Sequence, residues 1–190
     1  MVNTDNKFKI IPWSPELDLE SFYALARQKG FENNSNQKIM VDCFRKERLW
    51  QVWMLYYNNQ AVGSVAAHSL DVLGPNSFRI CARTCAFTEL MPFRNLRSLR
   101  KTCQQHQNVT AQFFMPQCIE WAGRGNNLYI TSHPSDVGSQ QLVHQIYLPA
   151  LEETGAVSRA AEMEYRGHIQ TFWKLNVDIF YDQLNALPRW

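Results

Sequence analysis

Apolar positions along this chain follow two periods in turn, and the switches between them delimit its elements. Phe8 to Trp13 alternates and predicts a short opening strand. Ser14-Pro15-Glu16 then supplies a helix start, with Ser14 as N-cap, Pro15 in the first helical position and acids in the first turn. Phe22, Leu25 and Ala26 form its apolar stripe, and Gly30 ends it. A second helix is predicted from about Ser35 to Arg48, burying Ile39, Met40, Cys43 and Phe44. Trp50 to Tyr57 is rich in β-branched and aromatic residues and reads as a strand. Asn58-Asn59-Gln60 reads as a hairpin turn, and Ala61 to Leu70 returns as the next strand with a bulge at Gly63. After the turn Leu73-Gly74-Pro75-Asn76, Phe78 to Phe87 completes a three-strand meander.

From Thr88 to Val109 no period is visible over 22 residues. Ala111, Phe114, Cys118, Trp121 and Ala122 next share a helical face, closed by Gly123-Arg124-Gly125. Pro116 marks either a kink or the true first turn of that helix. Leu128 to Thr131 is a short buried strand, followed by the loop His133-Pro134-Ser135-Asp136. Leu142, Val143, Ile146, Tyr147, Ala150 and Leu151 make another helical stripe, with Pro149 as a kink and Gly155 as its stop. The end of the chain, Ala161 to Trp173 and then Val177 to Tyr181, reads as two strands around Leu175-Asn176.

Composition narrows the class. A hydrophobic fraction of 45% and an aromatic fraction of 13% exclude disorder, and 190 residues suffice for one well-cored domain. No apolar run approaches the roughly 18 residues of a membrane helix, so no membrane partner is expected. Five cysteines (Cys43, Cys81, Cys85, Cys103, Cys118) are odd in number and lack CxxC spacing, and the first residues lack a signal-peptide pattern. Reduced thiols and a cytoplasmic protein are the economical expectation. The histidines show no metal spacing, so no metal is expected.

A net charge of +2 does not by itself point to nucleic acid, but the cations are concentrated. The strand-like run to Phe87 opens into Arg94, Arg97, Arg100 and Lys101. Amides freed at a strand end and guanidinium forks both donate to phosphate oxygens. The three arginines stand at i, i+3 and i+6, so a solvated helix face is the alternative reading. If the cluster clamps an anion, its four cations repel until neutralised. The segment is then expected to order on binding.

The order of elements, from the opening strand and two helices through the meander to helix, strand, helix and two strands, resembles the GNAT superfamily of acyl-CoA-dependent N-acyltransferases. Ile10 to Asp18 looks like that family's first strand and helix start, Val52 to Val65 like its second hairpin, and Leu151-Glu152-Glu153-Thr154-Gly155-Ala156 like its "YeklGF" helix ending. The resemblance covers about Phe8 to Arg94 and Asn127 to Trp173. It implies an α+β fold: a single GNAT-like domain over 1–190, built on one central, mostly antiparallel sheet of about seven strands flanked by helices. It also implies acetyl-CoA or another acyl-CoA as cofactor. The backbone of Cys85, Ala86 and Phe87 would pair with the pantetheine amides, and Arg94, Arg97 and Arg100 would hold the phosphates. The sequence departs from the family's [QR]xxGx[GA] loop, because Arg97 and Leu99 stand where small residues belong. Either arginines replace the amide contacts, or acyl-CoA binding has been lost.

Amine acylation needs a base for the attacking ammonium and an acid for the leaving thiolate. The family's fourth-strand carboxylate slot holds Cys81, which leaves Glu89, just past the strand end, as a substitute base. His133 is a second base candidate, with an ordinary surface histidine as its alternative. His68 could point to a cleft or to solvent. The family's acidic tyrosine slot holds Leu151, and Tyr147, one turn earlier, is the candidate acid or else a core aromatic. The aromatics Tyr165, Phe172, Trp173, Phe180, Tyr181 and Trp190 could line an acceptor pocket or simply pack sheet against helix. Three readings follow: an N-acyltransferase acting on a small-molecule or peptide amine, a catalytically inactive GNAT-like binding or interaction module, and, last, a nucleic-acid contact through the Arg94–Lys101 stripe.

Overall fold

The computed structural model describes residues 8–14, 46–57, 59–84, 110–132 and 148–186. Among them, seven strands form one sheet: β1 (Phe8–Trp13), β2 (Trp50–Tyr57), β3 (Gln60–Ser69), β4 (Ser77–Thr84), β5 (Asn127–Ser132), β6 (Val157–Tyr165) and β7 (His168–Leu175). Their order across the sheet is β1-β2-β3-β4-β5-β7-β6. Antiparallel pairing joins β1 to β2, β2 to β3, β5 to β7 and β6 to β7. The β4–β5 pair is parallel, from Ser77↔Asn127 to Ile80↔Ile130. Among the described residues, three α-helices accompany the strands: α1 (Met115–Ala122), α2 (Leu148–Glu153) and α3 (Val177–Ala186). This is the mixed, mostly antiparallel α+β architecture that the family resemblance implies.

The chain divides into two compact units, Met1–His68 with Ala82–Cys118, and Ser69–Cys81 with Ile119–Trp190. In the first, Val52, Trp53, Met54 and Leu55 of β2 are all buried, so both faces of this strand are covered. The small residues of β3, Ser64 to Ala67, are buried as well. The Leu55/Tyr56 register break makes Val62 the extra residue, so the bulge lies beside Gly63 rather than at it. The β2–β3 turn holds Asn59 at φ 64°, a left-handed position that asparagine tolerates.

In the second unit Leu70, Tyr129 and Phe172 form a buried cluster, with Leu73, Ala161, Met163 and Tyr165 packed against it. Tyr165 meets Phe172 edge-on, with ring centroids 5.7 Å apart. The helix α2 ends in a Schellman motif: Gly155 N donates to Glu152 O and Ala156 N to Leu151 O, with Gly155 at φ 77°.

Three sequence expectations are corrected. Residues 46–49 form a turn and bends, so the second predicted helix does not extend to Arg48. The last two strands are β6 and β7, joined at Arg166-Gly167 rather than around Leu175-Asn176. Val177 to Ala186 is helical, because Asn176 caps it by accepting from Ile179 N on its Oδ1 and from Phe180 N on its carbonyl. Pro116 falls in the first turn of α1, behind a π-helical turn at Thr110–Phe114. Lacking an N–H, it cannot close the ordinary bond to residue 112, and the wider turn occupies that place. The segments 15–45, 85–109 and 133–147, where the sequence predicts the two N-terminal helices, the arginine stripe and the start of the helix before Gly155, lie outside the described residues.

Candidate functional site

β4 is the strand that leads to the predicted cofactor segment, and β5 is the one that leads to His133. All of the predicted site residues nevertheless lie outside the described residues: Glu89, His133 and Tyr147, and Cys85, Ala86, Phe87, Arg94, Arg97 and Arg100. Leu151, in the slot of the family's tyrosine, sits half-buried in α2.

His68 is described, and one of its two expected orientations is removed. It is fully buried, away from solvent, with Nδ1 3.9 Å from Glu47 Oε1. The C-terminal aromatics divide by role. Phe172 and Trp173 are buried, and Trp173 Nε1 donates to the buried Ser132 Oγ at 2.9 Å, tying β7 to the end of β5. Phe180 and Tyr181 lie on α3, where Tyr181 stacks beneath Arg124 at 4.6 Å.

The polar cluster that sequence reasoning missed is centred on Arg79 in β4. Its Nε and Nη2 donate to Thr131 Oγ1 at 2.9 and 2.7 Å, and Nη2 also donates to Gln170 Oε1 at 2.9 Å. The guanidinium carbon lies 5.1 Å from the centroid of the Tyr165 ring, and that of Arg166 lies 5.2 Å from the same ring. One arginine thus joins side chains from β5, β6 and β7. The only sequence signal for it is a cation inside the otherwise apolar run Phe78-Arg79-Ile80.

Neighbouring Phe78 points to the other face, where it meets Trp121 of α1 edge-on with centroids 5.5 Å apart. Strand alternation thus separates an apolar face under α1 from a face on which the arginine is partly exposed. No group of three His, Cys, Asp or Glu side chains among the described residues could hold a metal ion. No described helix is long and apolar enough to cross a membrane.

Sequence comparison gives no assignment, since no protein-family model and no curated protein matches the chain. Structural comparison shows the fold. A probable acetyltransferase from Staphylococcus epidermidis superposes with a TM-score of 0.54 at 10% identity, over 89% of this chain and 98% of that one. The acetyltransferase of GNAT family from Streptococcus pneumoniae superposes with a TM-score of 0.50 at 11% identity, over 88% of this chain and 96% of that one. At such identities the likeness is one of fold. The chain has the GNAT fold.

Proposed function

We propose that the protein is an N-acyltransferase that moves an acetyl or other acyl group from acyl-CoA to an amine, in the cytoplasm. The observation that carries this reading is the match of fold along nearly the whole of the compared acetyltransferases. The course of β4 adds to it, since this strand runs to Thr84, directly before the residues that the resemblance assigns to the cofactor. In this reading the backbone of Cys85, Ala86 and Phe87 pairs with the pantetheine amides, while Arg94, Arg97 and Arg100 hold the phosphates. Glu89 or His133 takes the proton of the ammonium, and Tyr147 gives one to the leaving thiolate.

Thermal unfolding with and without CoA tests the proposal. A ligand at 100 times its dissociation constant adds about 2.7 kcal/mol to stability, so a clear rise in Tm is expected. Arg94→Ala with Arg97→Ala should abolish that rise while leaving the Tm of the free protein unchanged. No rise at millimolar CoA would end this reading. A binding module of the same fold without catalysis is the second reading, favoured by Arg97 and Leu99 where the family carries small residues and by Leu151 in the tyrosine slot. In that case the double variant would lose a partner and show no CoA effect.

A further inference from the structure

The sheet ends at β6, which pairs only with β7 among the described residues. The hairpin fixes which of its backbone groups face outward. Arg166 at φ 55° and Gly167 at φ 81° form a two-residue turn of type I′, in which the carbonyl of Tyr165 is directed at the N–H of His168. Alternation then turns the backbone of Tyr165, Met163 and Ala161 toward β7, and that of Glu164 and Glu162 away from it. The bulge at Ala160 resets the count, so Arg159 also faces outward, and its N–H donates to Glu152 Oε1 at 3.0 Å. Glu152 thereby closes the edge at Arg159. Between that point and the turn, the N–H and C=O groups of Glu162 and Glu164 have no partner among the described residues, and both residues are exposed.

The side chains along this open run divide by face. Glu162 and Glu164 share one face, where Glu162 Oε2 accepts from Thr171 Oγ1 at 3.1 Å and from Arg159 Nη2. Three carboxylates at the edge, Glu152, Glu162 and Glu164, thus stand against the single guanidinium of Arg159. Met163 lies on the other face, only partly buried against the Leu70–Tyr129–Phe172 cluster. Charges and a bulge on an edge strand guard a protein against its own copies. They do so here, because outward residues meet outward residues in antiparallel self-pairing. Each register that pairs the open run with itself sets a glutamate opposite a glutamate. Charges of one sign on one face, however, repel only a partner of like charge.

From this we infer that the outer edge of β6 binds an extended segment of a partner protein as an added strand, with lysine or arginine at two alternate positions and an apolar residue between them. The two cations lie opposite Glu162 and Glu164, whose outward N–H and C=O groups meet the backbone of the segment. The side chain between them falls on the other face, beside Met163. Main-chain bonds supply affinity in such a complex, and the alternating side chains supply specificity. The site uses none of the residues assigned to acyl-CoA and stands whether or not the acyl-transfer reading holds.

The probe is a blocked pentapeptide of alternating lysine and valine with lysine at both ends, and the comparison is the same peptide with glutamate for lysine. The lysine peptide should shift the amide resonances of Glu162 and Glu164 saturably and slow their hydrogen exchange, while the amide of Met163, directed at β7, keeps its exchange rate. N-methylation of the central lysine amide, which points at β6, should abolish binding, whereas N-methylation of the valine amides, which point away, should not. Glu164→Lys should weaken binding about tenfold, and added salt should weaken it in the unaltered protein. Glu164→Pro removes an outward N–H that the β6–β7 ladder does not use, a place where an edge strand accepts proline, and should abolish binding. If that variant fails to fold, the two N-methylated peptides decide the matter on the unaltered protein. No saturable shift at millimolar peptide, equal binding of the glutamate peptide, equal effects of the two N-methylations, or unchanged affinity in Glu164→Lys would each overturn the site. Concentration-dependent shifts of the same amides without peptide would mean that a second copy pairs there, and would overturn the assigned partner.

Discussion

Thr131→Val tests how Arg79 is held. The substitution keeps the β-branched shape that suits a strand and removes the oxygen that accepts from Nε at 2.9 Å and from Nη2 at 2.7 Å. A hydrogen bond to a charged group contributes about 1.5–3 kcal/mol. The two bonds here share one oxygen, and the half-buried guanidinium can recover some hydration, so they count as little more than one. The expected loss is about 2 kcal/mol. Arg79→Met in the same protein removes the donors as well, so no stranded N–H remains. The double variant should therefore be more stable than the sum of the single losses implies, by about 1–2 kcal/mol. Urea unfolding followed by tryptophan fluorescence and by far-UV circular dichroism measures this, provided that both transitions coincide and the slope is unchanged. A loss below about 0.5 kcal/mol for Thr131→Val, or strict additivity, would show that water replaces the hydroxyl and that the cluster is not held as described.

Further variants probe the frame around this cluster. Phe172→Ala, at a fully buried ring, should cost about 3–5 kcal/mol by chemical denaturation. Trp173→Phe keeps the bulk of the side chain but leaves the buried Ser132 without its indole donor, for an expected loss of about 1–2 kcal/mol in the same assay. Gly155→Ala places a Cβ at φ 77° and 3.2 Å from Ile179 Cδ1. The left-handed penalty less the entropy removed from the unfolded chain leaves about 1 kcal/mol of destabilisation, read as a lower Tm.

How legible the fold was in the sequence depended on the reach of each signal. β1 and β2 follow from local alternation and aromatic content and occur at the predicted residues. The stop at Gly155 was equally readable, because a helix end needs only its own residues. The C-terminal helix was misread: Phe180 and Tyr181 favour a strand by propensity, yet Asn176 as cap and apolar residues at 177, 180, 181 and 184 carry the helical period. The β6–β7 turn escaped notice because Arg166 is a poor turn former. Arg79 could not have been placed at all, since its partners arrive from 52 and 91 residues further along the chain, brought together by register alone. The acyl-CoA residues were read through a resemblance, and they fall in segments outside the described residues.

The parallel β4–β5 pair has a consequence for how the second unit comes together. Ser77 must find Asn127, fifty positions later, whereas Tyr165 meets His168 across a two-residue turn. By the logarithmic growth of closure entropy, the long search costs about 2.5 kcal/mol more than the short one. In refolding of the whole chain the C-terminal hairpin can therefore close before the β4–β5 pair, and during synthesis β4 waits with one edge unpaired until β5 has emerged. Nascent chains halted between these two strands would expose that edge, and it is there that they would be most prone to stick to one another.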